Sequence, residues 1–279
     1  MEKLTDEQVQ KLIKGRKKAM VSLACLGGTV TPAPEPVLVV TEAPPQQVEQ
    51  PAQPVITEEP VQTEEPVQTE EPVPTEEPAA PEPLDFYTEE FEGDISNWTY
   101  FVTKNATNAN EDSETAPYAE DGYLIFDLND WLNVYAMYDP YTYDNVRIDV
   151  SVDNRGVNSN RINLLCRYSD EGWYEVSVAN HGLYDFWVFD GAKQSYIKIA
   201  DGGSTKIKPG KEINDYTLVC NDRNLTLYIN GIETRTYTDN KYAFRRGQVG
   251  IGASAGVDWQ TNNDLPVKVE FDYIQISQP

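Results

Sequence analysis

Histidine is almost absent from this chain: one residue, His181, among 279. With a single imidazole no histidine-built zinc site can form, and a Ser-His-Asp hydrolase would have to recruit this one residue. It sits in Asn180-His181-Gly182, between two strand-like runs, where an exposed turn residue is expected. Cysteine is nearly as scarce. Cys25, Cys166 and Cys220 form no CxxC pair, which excludes the metal and redox centres built on that spacing. No apolar run is long enough to cross a bilayer as a helix. Positive charge is also short, with 22 basic against 46 acidic residues and a net charge of −24. Nucleic acid is therefore not an expected partner, because phosphate binding needs a basic patch that releases counterions.

What the chain does contain changes along its length. Residues 1–18 carry a Thr5/Gln8 capping box with Val9, Leu12 and Ile13 on one side, the pattern of a short amphipathic helix. Its basic end, Lys11 to Lys18, precedes an apolar run and small residues, the order of an export signal. Ser22-Leu23-Ala24-Cys25 resembles a bacterial lipobox, so lipidation at Cys25 and membrane or cell-wall attachment through the N-terminus are expectations.

Residues 31–83 hold 14 of the 19 prolines and 12 glutamates without one Lys or Arg. Within them PVITEE, PVQTEE, PVQTEE and PVPTEE follow one another from Pro54 to Glu77. Regular proline and mutually repelling glutamates favour a stiff, solvated stalk, and 53 such residues would reach roughly 160 Å if fully extended. Residues 84–279 remain as the folded part, with 16 basic and 31 acidic residues.

That part reads as an all-β sandwich of two antiparallel sheets, because short alternating runs are punctuated by Gly, Asn and Asp at close spacing. No convincing helical period appears. The clearest stretch runs from Arg161 to Gly191, three strands joined by SDEG and NHG. Alternation puts Ile162, Leu164, Cys166, Tyr168, Tyr174, Val176, Val178, Tyr184, Phe186 and Val188 on the core side. The opposite face collects Asn163, Arg167, Trp173, Glu175, Ser177, Asp185 and Trp187. Aromatic faces accept the C–H patches of sugar rings, and charged or amide side chains accept their hydroxyls, so this face is a candidate glycan platform. An Arg167–Glu175 ion pair on an ordinary strand face is the plainer alternative. Trp131 and Trp259, in loop-like segments, are candidates for a rim or for plugs at the sandwich ends. Cys166 and Cys220 both fall on core faces, where they either pair or remain two small buried hydrophobes.

The ordered series FEGDISNW, DGYLIFDL, LLCRYSDEGWYEVSV, GLYDFWVFDG, LTLYINGIE, GQVGIGA and VEFDYIQI resembles the concanavalin A-like lectin/glucanase superfamily over about residues 84–279. Within it, the series looks like the LamG-like or glycan-hydrolase-associated jelly rolls of bacterial surface proteins. The resemblance implies a jelly roll and commonly carbohydrate recognition, while enzymes and plain adhesion modules share the fold. Glucanases of the superfamily carry Glu-x-Asp-x-Glu on one strand; the nearest string here, Glu270 to Gln275, lacks the third acid. Asp149 and Asp153 lie roughly 13 Å apart along a strand, too far for a retaining pair, whereas Glu175 with Asp185 across strands stays geometrically open. Many carbohydrate-binding sandwiches hold a structural calcium near the joined chain ends, and Asp94, Asp121 and Asp272 are the candidate ligands. The expectation is an exported, surface-held glycan-binding module, with protein adhesion or polysaccharide hydrolysis as alternatives.

Overall fold

The computed structural model describes Lys18–Ala19 and residues 82–106, 109–110, 116–256 and 265–279. The stalk up to residue 81, the lipobox cysteine Cys25 and the rim candidate Trp259 lie outside the described residues. So does the expected N-terminal helix, except Lys18, which belongs to a strand.

Sixteen strands are seen among the described residues, and no helix. They are β1 (Lys18–Ala19), β2 (Tyr87–Glu89), β3 (Trp98–Lys104), β4 (Tyr118–Glu120), β5 (Tyr123–Leu128), β6 (Leu132–Tyr143), β7 (Val146–Asn154) and β8 (Arg161–Ser169). After these come β9 (Gly172–Ala179), β10 (Leu183–Asp190), β11 (Ser195–Gly203), β12 (Asn214–Asn221), β13 (Asn224–Ile229), β14 (Ile232–Thr238), β15 (Gly247–Ser254) and β16 (Val267–Ser277). Sheet A runs β1-β3-β6-β15-β8-β9-β10-β11, and sheet B runs β14-β13-β12-β7-β16-β5-β4 with β2 added against β16. All pairings are antiparallel. The expected two-sheet sandwich is the observed fold.

Alternation explains the core. Ile162, Leu164 and Cys166 of β8, Tyr174, Val176 and Val178 of β9, and Phe186 and Val188 of β10 turn inward against Ile148, Val150, Leu218 and Phe271 of sheet B. Each fully buried aliphatic or Phe side chain contributes about 1.5–3 kcal/mol. Cys166 and Cys220 are joined in a disulfide that ties β8 of sheet A to β12 of sheet B across 54 residues. Closing a loop of that length stabilises the fold by about 4 kcal/mol on the chain-entropy account. The start of the domain is tied down as well, since Tyr141, Tyr138 and Tyr143 of β6 donate to the carbonyls of Pro83, Leu84 and Asp85.

Strict alternation fails at the end of β8. The β8–β9 register shifts between Cys166 and Ser169, and Arg167 adopts a left-handed φ of 58°. A bulge of this kind places one extra residue in the strand, so the residues beyond it change face. Tyr168, expected in the core, joins the outer aromatic cluster of sheet A instead. Arg167, expected outside, is 1% exposed and donates to the carbonyls of Asp144 and Phe244 at one end of the sandwich. It makes no ion pair with Glu175.

Candidate functional site

The outer face of sheet A is not an open platform. Of the six central candidates only Trp187 is partly exposed, while Asn163, Arg167, Trp173, Glu175 and Asp185 are all buried. The face divides into an aromatic half, toward the β8–β9 turn, and a polar hollow beside it.

The aromatic half is a second small core. Trp173 stacks on Phe189 with centroids 4.0 Å apart, and Phe101 stacks on Tyr135 at 4.8 Å. Phe101 and Tyr196 meet Trp173 edge-on, and Tyr168 packs against it at 5.2 Å. Room for this layer comes from two glycines of β15. A Cβ on Gly252 would come within 2.6 Å of Tyr135 Cδ1, and one on Gly250 within 2.3 Å of Met137 Sδ. The smallest side chains on one strand thus lie under the largest on the next. Trp173 is 4% exposed and packed by Phe101, Tyr168, Phe189 and Tyr196, which removes it from the expected sugar-binding surface.

Beside this layer lies a hollow of about 90 Å³ lined by Asn133, Tyr135, Arg161, Glu175, Trp187 and Tyr196, among others. Strand pairing sets the neighbours: Glu175 stands opposite Trp187, Trp187 opposite Lys198, and Ser177 opposite both Asn163 and Asp185. Asp185 accepts from Arg161 Nη1 with one oxygen and from Lys198 Nζ at 2.7 Å with the other. The Lys198 ammonium also sits 5.0 Å from the centre of the Trp187 ring. Arg161 Nε is buried with no partner inside the protein, and Arg161 lines the hollow. Asn163 lies beneath the surface, donating to Ser254 Oγ at 3.2 Å.

Glu175 ends a chain of hydroxyls. It accepts from Tyr135 at 2.9 Å and from Ser177 at 2.9 Å. Tyr135 meets Tyr196 at 2.7 Å, Tyr196 meets Thr103 at 3.2 Å, and Asn133 Nδ2 donates to Thr103 at 3.1 Å. Each hydroxyl has one proton. With the Tyr135 proton given to Glu175, Tyr196 must donate to Tyr135 and Thr103 to Tyr196, so the chain runs one way from the amide to the carboxylate. Burial pushes the Glu175 carboxyl above its ordinary value, opposed by the bonds from Ser177 and Tyr135 and by the Arg161 charge. Burial likewise pushes the Tyr135 and Tyr196 phenols up, with the Glu175 charge adding to the shift, so both stay protonated.

Other sequence candidates fall elsewhere. Trp131 is 4% exposed and packs in the main core, so it forms no rim. Asp94 caps its own turn, accepting from the Ser96 amide and hydroxyl. Asp121 and Asp272 share an acidic hollow with Glu90 and Glu92, apart from Asp94. Among the described residues no three His, Cys, Asp or Glu are grouped closely enough to hold a metal ion, so the expected calcium trio does not assemble. Glu270 and Asp153 lie on sheet B, where both pair with Arg155, and Asp149 pairs with Arg147. None of these acids reaches the hollow. Conversely, sequence reasoning missed Arg161, Tyr135, Tyr196 and Lys198. Arg161 shares parity with Asn163 and was available from alternation alone. The other three lie on strands outside the Arg161–Gly191 stretch, and nothing local in NVYAMY or SYIKIA marks them.

Among the described residues the regular structure is all β-strand, in two antiparallel sheets, and the fold is a jelly-roll sandwich of the concanavalin A-like type. No known protein family and no curated protein matches the sequence. Solved structures do match the fold. A glycoside hydrolase family 16 endo-glucanase from Bacteroides ovatus aligns over 68% of this chain and 99% of its own at 10% identity, with a TM-score of 0.52. The β-glucanase of Bacillus licheniformis aligns over 71% of this chain and 100% of its own at 11% identity and a TM-score of 0.50. The carbohydrate-binding module CBM66 of Bacillus subtilis aligns over 55% and 86% at 14% identity, with a TM-score of 0.42. At such identities these likenesses concern the fold.

Proposed function

We propose that the domain binds a glycan in the hollow on the outer face of sheet A and does not cleave it. The observation that carries this reading is the partly exposed Trp187 ring beside a set of buried, oriented polar groups, Arg161, Glu175 and Asn133. An indole accepts the C–H patch of a sugar ring, and preorganised donors and acceptors hold its hydroxyls without further ordering cost. The fold is shared with glucanases, which supports a polysaccharide as the ligand class.

Binding is favoured over hydrolysis because the two acids are already committed. A retaining hydrolase needs one carboxylate free to attack and one carboxylic acid free to protonate the leaving oxygen. Asp185 has both oxygens held by cations, and Glu175 has both oxygens held by hydroxyls.

The buried disulfide fits an oxidising compartment, which agrees with export. With the basic-apolar N-terminus and the Pro/Thr/Glu repeat, it supports a module held at the cell surface on a stalk, attached to membrane or wall. Glycan-array binding tests the reading: the wild type retains glycans, and Trp187→Ala loses that binding while its melting temperature stays within about 2 °C, as for a partly exposed side chain. An array with no positive glycan would overturn it in favour of a protein-adhesion module. Reducing sugar released by wild type and lost in Glu175→Gln would overturn it in favour of a hydrolase.

A further inference from the structure

On the reading that the hollow binds glycan, we infer that it takes a terminal sugar unit, a chain end or one-unit branch, and not the interior of a polysaccharide. The aromatic half of the face carries this step. A polysaccharide bound along its interior must pass through its site and leave on both sides, so the strand face must stay open beyond the central ring. Here the way out toward the β8–β9 turn is occupied by Phe101, Tyr135, Trp173 and Phe189, each below a tenth exposed. A depression in that layer, between Phe101, Tyr168, Trp173 and Phe189, measures about 40 Å³, less than half of the hollow. On another side Asn105 lines the hollow together with Ala255, to whose carbonyl its Nδ2 donates at 3.0 Å. The hollow is thus walled on these two sides.

The polar groups point the same way. In an interior unit two ring positions are tied up in glycosidic oxygens, which accept hydrogen bonds and cannot donate them. A terminal unit keeps one more hydroxyl, which can donate as well as accept, beside the amide, carboxylate and guanidinium groups that line the hollow. Leaving such groups facing an ether oxygen forfeits a bond that a hydroxyl would make.

Calorimetric titration of the full chain tests this, using oligosaccharides of two to six units from neutral β-glucans, fructans, xylans and mucin-type glycans. The expected result is a Kd that changes less than about twofold from two units to six, with Trp187→Ala abolishing binding at every length. A fixed mass of the retained polysaccharide, partly cut by an endo-acting enzyme, is expected to bind more protein in proportion to the new ends. A Kd that tightens about tenfold or more with length, or a capacity unchanged by cutting, would overturn the terminal-unit inference and leave the glycan site standing. Failure of every oligosaccharide and polymer to bind would overturn the glycan reading itself, and this inference with it.

Discussion

Sheets A and B present similar residue types on their outer faces to opposite effect. Sheet B carries Arg147 against Asp149, with side chains 39% and 16% exposed. Sheet A carries Arg161 against Asp185, with side chains 10% and 7% exposed. Thr226 and Thr236 bond each other in the open on sheet B, whereas Thr103 and Ser177 belong to a hidden network on sheet A. The first set is solvated and its pairs contribute little, because water screens them. The second has been taken out of water, where an imperfect partner is costly and a perfect one fixes geometry. Preorganised recognition draws on the second condition, so the difference between the faces marks the candidate site better than residue type does.

Three comparisons of variants can break or sharpen this contrast. The largest expected effect is at the aromatic layer: Trp173→Ala should cost about 4 kcal/mol in urea unfolding, as for a large core side chain. Trp187→Ala, two strand positions from a buried aromatic and only partly buried itself, should cost less than about 1 kcal/mol. Equal costs would mean that the two halves of the face are not different in kind. Next, Asp185→Ala strands the buried Arg161 charge and should cost about 3 kcal/mol, while Asp149→Ala on sheet B should stay below about 1 kcal/mol. A double-mutant comparison that ranks them the other way would erase the contrast between the sheets.

The smallest effect concerns pH. The native state holds the Glu175 proton more tightly than the unfolded chain does, because burial raises its pKa. The native state therefore binds more protons in the interval above the ordinary carboxylate range, and stability falls as pH rises through that interval. Glu175→Gln removes this slope. Any hydrogen bond lost with it is a pH-independent offset. The melting temperature of the variant relative to wild type should thus rise from acid to neutral pH, as differential scanning across that range would read. A flat difference across that range would show that Glu175 ionises as freely in the fold as outside it.

Much of this architecture was legible from the chain. Period-two alternation in LLCRYSDEGWYEVSV and GLYDFWVFDG marks strands and their inward faces, and core parity brought Cys166 and Cys220 within reach of one another. The same logic failed at Arg167, where a bulge and a left-handed residue reverse the faces. It also failed at Trp173. Parity correctly put that indole on the outer side, but parity says nothing about what other side chains lie over it. Phe101, from a strand 72 positions earlier, and Tyr196, from the next strand but one, cover it. The glycines of GQVGIGA were the one local hint, since small residues at outward positions make room for large neighbours.

The sequence by itself determined the class of fold and the sides of most strands, because these follow from local alternation and turn chemistry. Tertiary structure alone decided which outward residues are hidden. Burial depends on neighbours brought together from β3, β6, β8, β9, β10, β11 and β15, and no one strand carries that information. The chain therefore announces a two-faced sheet, and only its folding divides one face into an aromatic wall and a polar pit.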